Sequence, residues 1–149
     1  MADIEERRRP GVAREYANDR IAVSWEPQYC IHTAICLKGL PEVFDAVRRP
    51  WIEIDAADAD DIAEVVMRCP TGALHSWRPG DREQETAPEV TTVQPRTNGP
   101  LFVRGKVQIV DAQGDVIRED TRIALCRCGQ SANKPFCDGT HQAVGFRAH

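Results

Sequence analysis

The residues best suited to chemistry in this chain of 149 are its six cysteines and four histidines, and their spacing sorts them into sets. Cys126 and Cys128 are separated by one residue, and Cys137 and His141 follow, four positions apart. Two cysteines so close in sequence can both reach one metal centre when the backbone is extended or sharply turned, and they are poorly placed to form a disulfide with each other. A cysteine and a histidine four apart fall on one face of a helical turn. Asp138 and Gly139 would then lie in the first turn, where backbone N–H groups and the positive end of the helix dipole favour a negatively charged centre. Pro135 stiffens the approach to Cys137, while Gly129 and Gly139 let the backbone come close to what is bound. By residue type alone the set stays ambiguous, because Zn2+ also takes three cysteines and one histidine.

Cys30, Cys36 and Cys69 form the second set. A free cysteine behaves as a small hydrophobe, so Cys69 on an apolar helix face also reads as a core thiol. His32 lies between Cys30 and Cys36, where it could tune or cap whatever they bind. His75 reads as a half-buried strand residue and His149 as a solvated one. The basic triplet Arg7–Arg9 is balanced by Asp3, Glu5 and Glu6, and Pro10 follows it instead of the apolar stretch that an export signal needs. The expected compartment is therefore the cytoplasm, where disulfides rarely persist and clustered thiols read as metal ligands or reactive groups.

Elements must position these residues. Ile21, Val23 and Trp25 alternate with Ala22 and Ser24 as in a half-buried strand, Trp51–Ile54 reads as a second strand, and Leu74–Trp77 as a third. Asp58 has the character of a helix cap, with Asp60 and Asp61 in the first turn. Ile62, Val65, Val66 and Cys69 then make one apolar face, with Cys69 at its inner end, before Pro70 and Gly72 stop the helix. Asn98–Gly99–Pro100 is a turn. Apolar residues from Leu101 to Leu125, punctuated by Gly105 and by residues 111–115, predict a β-rich module too small to be stable without a metal staple. The boundaries read as a flexible segment over 1–17, a first domain over 18–78, a polar linker over 79–89 and a second domain over 90–149. Hydrophobic residues make up 42% and charged residues 28%, which excludes a disordered tail and a membrane-embedded chain. The net charge is −4, and residues 18–78 carry all of it, with ten acids against six bases. No basic stripe suggests a nucleic-acid partner.

Two resemblances add to this reading. Cys30-Ile31-His32-Thr33-Ala34-Ile35-Cys36 with Cys69-Pro70-Thr71-Gly72-Ala73-Leu74 resembles the divergent single-cluster ferredoxin domains of bacteria, over roughly 18–78. The Cys-Pro pair matches the end of the bacterial ferredoxin run, but Thr33 stands where the middle cysteine belongs. The resemblance implies a small α+β fold with Cys30, Cys36 and Cys69 on one cubane-type cluster. Three thiolates suit 3Fe–4S, and 4Fe–4S would add His32, the Thr33 hydroxyl or water. The string from Cys126 to His141, ending Phe136-Cys137-Asp138-Gly139-Thr140-His141, is similar to the signature of the CDGSH iron–sulfur family, with Thr140 where many members have Ser. Over roughly 90–149 it implies a 2Fe–2S cluster on Cys126, Cys128, Cys137 and His141.

The expectation is thus an α+β protein, a small ferredoxin-like domain followed by a β-rich CDGSH module. No nucleophile motif, phosphate-binding loop or paired-carboxylate signature marks it as an enzyme. It reads as a one-electron carrier whose acidic first domain steers redox partner proteins with a basic docking surface, without nucleic acid or membrane, as a monomer or homodimer. The alternatives are redox or iron sensing, cluster transfer, and a zinc-binding interaction module.

Overall fold

The computed structural model describes residues 14–79 and 87–149. They form two compact units, 14–69 with 73–79 and 70–72 with 87–149. Together the units carry short helices and two antiparallel three-stranded sheets, a mixed α+β architecture. Among the described residues no helix is long and apolar enough to cross a membrane.

In the first unit β1 (Arg14–Ala17), β2 (Ala22–Trp25) and β3 (Leu74–Trp77) pair in that order. Asn18 makes the first turn, its side-chain oxygen accepting from the backbone N–H groups of Arg20 at 2.8 Å and Ile21 at 3.0 Å. Helices α1 (Ile35–Gly39) and α2 (Ala59–Met67) lie between β2 and β3 in sequence. The face of α2 bearing Ile62, Val65 and Val66 is buried with Ile21, Val23, Val43, Phe44, Ile52, Ile54 and Leu74. Each such aliphatic side chain contributes about 1.5–3 kcal/mol on full burial. Cys36, Cys69, Trp25 and Trp51 pack on the rim of this core. His75 is buried on β3 opposite Ser24.

Four local expectations are corrected. The flexible segment was expected to reach residue 17, but Arg14–Ala17 is a strand paired with β2 and Tyr16 packs against the core. Trp51–Ile54 is not a strand; Ile52 makes a single bridge to Phe44, because the facing residues are a turn with little backbone to offer. Asp58 occupies the cap position of α2, but its side chain makes no capping hydrogen bond. The helix stops at Met67, not at Cys69. Arg68 and Cys69 bond back to Val65 and Val66 in a tightened last turn, as expected one residue before a proline. Arg7–Arg9 and residues 80–86 of the expected linker lie outside the described residues.

The second unit is built on β4 (Thr92–Pro95), β5 (Leu101–Val110) and β6 (Val116–Leu125), followed by a four-residue helix α3 (Thr140–Ala143). Asp111 closes the β5–β6 turn by accepting from the N–H groups of Gln113 at 2.9 Å and Asp115 at 3.0 Å. Its buried apolar residues are few: Val103, Ile123, Ala124, Phe136 and Cys137. Within this unit Arg118 and Asp120 form a buried ion pair at 2.6 Å, and Arg118 also donates to the carbonyl oxygens of Thr71 at 3.0 Å and Gly72 at 3.2 Å. Gly72 has φ +71, and a Cβ there would collide with the Asp120 carboxylate and the Arg122 carbonyl.

Candidate metal centres

In the second unit the end of β6 sets the site. Leu125 bridges to Phe136, the Cys126 N–H donates to the Pro135 carbonyl at 2.8 Å, and the Cys137 N–H donates to the Ala124 carbonyl at 2.9 Å. This short antiparallel pairing brings Cys126 and Cys137 together across eleven residues of sequence. Ser131 folds the intervening loop, its hydroxyl donating to the Phe136 carbonyl at 2.6 Å and accepting from the Asn133 N–H at 3.1 Å. Gly129 has φ +78 with nothing within 4 Å of a Cβ built on it. A glycine suits that left-handed turn.

The donors meet in pairs. Cys126 Sγ and Cys128 Sγ are 3.7 Å apart, and Cys137 Sγ and His141 Nδ1 are 3.5 Å apart. Among the described residues no three His, Cys, Asp or Glu side chains converge on a single metal ion. Backbone N–H groups point at the sulfurs: Gln130 to Cys128 at 3.5 Å and Gly139 to Cys137 at 3.4 Å. Asp138 and Gly139 lie ahead of α3, not within its first turn as the spacing suggested, and Cys137 precedes them, because Gly139 with φ +89 begins the helix only at Thr140. The nearby donors to the Cys137 sulfur are thus loop amides. Burial pushes the Cys137 thiol up, the Gly139 N–H opposes it, and Cys126, Asp138 and Cys128 raise it further. At Cys126 burial also acts upward, but the Ser131, Gly129 and Cys128 backbone donors with the Cys128 side chain bring the thiol below its ordinary range. The backbone donors favour the charged form of Cys126, and thiolates at Cys128 and Cys137 would crowd negative charge against it, a donor set that a cationic iron centre would stabilise.

Asp138 ties the site together. Its carboxylate accepts from the Thr140 hydroxyl at 2.5 Å, the Thr140 N–H at 3.0 Å and the Ala132 N–H at 2.8 Å. The Thr140 hydrogen bond is the main reason that its carboxyl is held below the usual range. Sequence reasoning missed a second brace, Arg127, which stands between two candidate ligands. Its guanidinium donates to the carbonyl oxygens of Arg96 at 2.6 Å, Gly99 at 2.7 Å and His149 at 3.0 Å, and lies 5.3 Å from the Phe146 ring centroid. A Cβ on Gly99 would lie 3.7 Å from His141 Nε2, so the braced turn runs beside the far edge of the imidazole. An arginine flanked by ligands was the available signal, but its backbone acceptors cannot be read from residue types.

In the first unit Cys30 ends a short 3-10 turn (Pro27–Tyr29), and Cys36 sits in α1. Ala34 at φ +63 starts α1, and His32 has φ +58. The left-handed residues curl the loop between the two cysteines. All three thiols are half-buried. Burial, reinforced by the neighbouring Cys69 and Cys30, raises Cys36 to about 11. Burial also raises Cys30, with the His32 N–H and the Trp25 side chain opposing and Cys69 reinforcing. Cys30 and Cys36, two thiols that resist ionising, form with Cys69 a donor set that a cationic iron centre would stabilise. Thr33 is exposed and its hydroxyl accepts from the Ile35 N–H at 3.4 Å. His32, also exposed, has Nδ1 3.7 Å from Cys30 Sγ.

Comparison with known proteins gives the same division. A family described as a divergent 4Fe-4S mono-cluster matches residues 16–79, and one described as an iron-binding zinc finger of CDGSH type matches residues 98–142. Uncharacterized protein YjdI of Escherichia coli K12 is 34% identical over 64 residues, covering 43% of this chain and 84% of the relative. YjdI of Escherichia coli O157:H7 matches to the same extent. The chain therefore belongs to the divergent 4Fe-4S mono-cluster family through its first unit and carries a CDGSH-type iron-binding domain after it.

Proposed function

We propose that this protein is a one-electron carrier with two clusters, a 2Fe–2S cluster on Cys126, Cys128, Cys137 and His141 and a 3Fe–4S or 4Fe–4S cluster on Cys30, Cys36 and Cys69. The observation that carries the reading is the pairing of donors in the second unit, at 3.7 Å and 3.5 Å. Two donors in contact suit one iron, and two such pairs suit a dinuclear centre better than a single tetrahedral ion. When bound, the clusters supply reversible one-electron chemistry. The chain supplies the rest. The β6 end and the Asp138 and Arg127 braces fix the donors, and backbone N–H groups stabilise sulfur charge. The acidic residues 18–78 favour partner proteins with a basic docking face in the cytoplasm.

A cluster-transfer role is the second reading, favoured by the partial exposure of Cys126, Cys128 and His141. Anaerobic purification followed by iron and sulfide quantitation, visible absorption and EPR tests the first reading. It expects two distinguishable signals, each abolished by substituting its own cysteines. A colourless protein with stoichiometric zinc and no acid-labile sulfide would overturn it. Transfer of the intact second cluster to an apo acceptor, faster than electron exchange, would favour the second reading.

A further inference from the structure

His32 is in contact with a ligand cysteine but lies outside the set that the first cluster uses. Its Nδ1 is 3.7 Å from Cys30 Sγ, its side chain is exposed, and its backbone is held at φ +58. We propose that His32 tunes the first cluster by donating its Nδ1–H to the Cys30 sulfur, and that it does not ligate iron. The inference rests on the reading of Cys30 as a cluster ligand.

Three observations carry it. First, two electron-rich atoms cannot sit in contact with only lone pairs between them. A neutral imidazole beside a thiolate therefore carries its proton on the facing nitrogen. Second, a cubane takes one protein donor at each iron, and those donors diverge. A nitrogen touching Cys30 Sγ lies beside the sulfur and not at another iron's open corner. Third, the placement is not a by-product of packing. The imidazole is exposed, and a non-glycine residue is held in the left-handed region, which costs energy and persists where the surroundings impose it. The His32 backbone N–H and the Trp25 side chain also favour the charged form of the same sulfur. The imidazole adds a donor on the solvent side. Hydrogen bonds to a ligand sulfur withdraw charge from iron and favour the reduced, more negative cluster, so the potential rises.

The test uses the full chain, loaded anaerobically with iron and sulfide. His32→Gly keeps the left-handed backbone and the backbone donor but deletes the imidazole. His32→Asn tolerates the same backbone and offers an amide N–H in its place. The expected result is unchanged iron and sulfide content in both variants. The midpoint potential of the first cluster should fall in His32→Gly and be partly restored in His32→Asn. Pulsed EPR on protein labelled with 15N-histidine, recorded on the first cluster's signal so that His141 does not contribute, should give a weak coupling that His32→Gly removes. An unchanged potential in His32→Gly overturns the proposal. So does the strong coupling of a directly bonded nitrogen, or loss of iron from the first cluster in His32→Gly, either of which makes His32 a ligand. If the wild-type first unit takes up no iron, the functional reading itself fails, and that is seen before any variant is made.

Discussion

At position 33 a threonine occupies the midpoint of the Cys30–Cys36 loop, exposed, between two residues of positive φ. Thr33→Cys places a third thiolate in the loop, and four thiolates suit a complete 4Fe–4S cluster. The expected outcome is a rise in iron per first unit and loss of any 3Fe–4S EPR signal from the oxidised protein. An unchanged spectrum and iron content would mean that position 33 faces away from the cluster. Losing the Thr33 hydroxyl removes the acceptor at the start of α1, a weak 3.4 Å contact, so any stability cost should stay within about 1 kcal/mol. At this scale ligand chemistry restricts residue type, so spacing singles out Cys126, Cys128, Cys137 and His141 as candidates, and the structure brings them into two contacting pairs. The contact between His32 and Cys30 could not be read from spacing, since it depends on a left-handed backbone that a histidine tolerates but does not by itself impose.

Among the elements, the segment from β6 to α3 buries few apolar residues, Ile123, Ala124, Phe136 and Cys137, and is braced by side-chain hydrogen bonds to the backbone. Arg127 satisfies three carbonyl oxygens through nitrogens in a planar fork. Arg127→Lys keeps the charge but cannot reach all three, so it should behave like Arg127→Ala and not rescue it. Both should lower stability by about 2 kcal/mol, read from the denaturant midpoint of the loaded protein. A lysine variant as stable as wild type would mean that charge alone acts there. Cys137→Ser goes further, because metal binding in so small a core is also folding free energy. It should collapse amide dispersion over β4–β6 while β1–β3 and α2 keep theirs, a pattern that two-dimensional NMR reads directly. The helix face of Ile62, Val65 and Val66 was legible because burial imposes a period on it, whereas Leu74–Trp77 forms a strand whose burial does not alternate. The strand Arg14–Ala17 was hidden because its Arg and Glu are exposed or half-exposed and only Tyr16 packs inward. Trp51–Ile54 misled for the opposite reason. Its apolar residues are buried, but against a turn and an aromatic cluster, with the Trp25 and Trp51 rings 4.8 Å apart.

For the molecule as a whole, the two ligand sets answer acid differently. A ligating imidazole must be deprotonated at the bound nitrogen, and free imidazole titrates near about pH 6.5, whereas a coordinated thiol is deprotonated outright. Asp138 is the second acid-sensitive group in the site. Its carboxyl is depressed by the Thr140 hydrogen bond, so its contribution is fully present above the ordinary carboxylate value near about 3.9 and is lost only as pH falls through its lower folded value. The two effects therefore separate. Loosening of the Asp138 brace enters only below about pH 4, so bleaching of the second unit above that pH belongs to the loss of its imidazole ligand. In that range the absorption of the second unit should decay while that of the first persists. His141→Cys should lower the reduction potential of the second cluster, because thiolate donates more charge than imidazole, and should move its bleaching to lower pH. Asp138→Ala should leave the bleaching phase above about pH 4 in place and destabilise the loaded second unit by about 1 kcal/mol at neutral pH. Stopped-flow acid jumps monitored at the two clusters' absorption bands distinguish these outcomes. Simultaneous decay of both clusters in wild type, or a His141→Cys protein as acid-labile as its parent, would remove His141 from the ligand set.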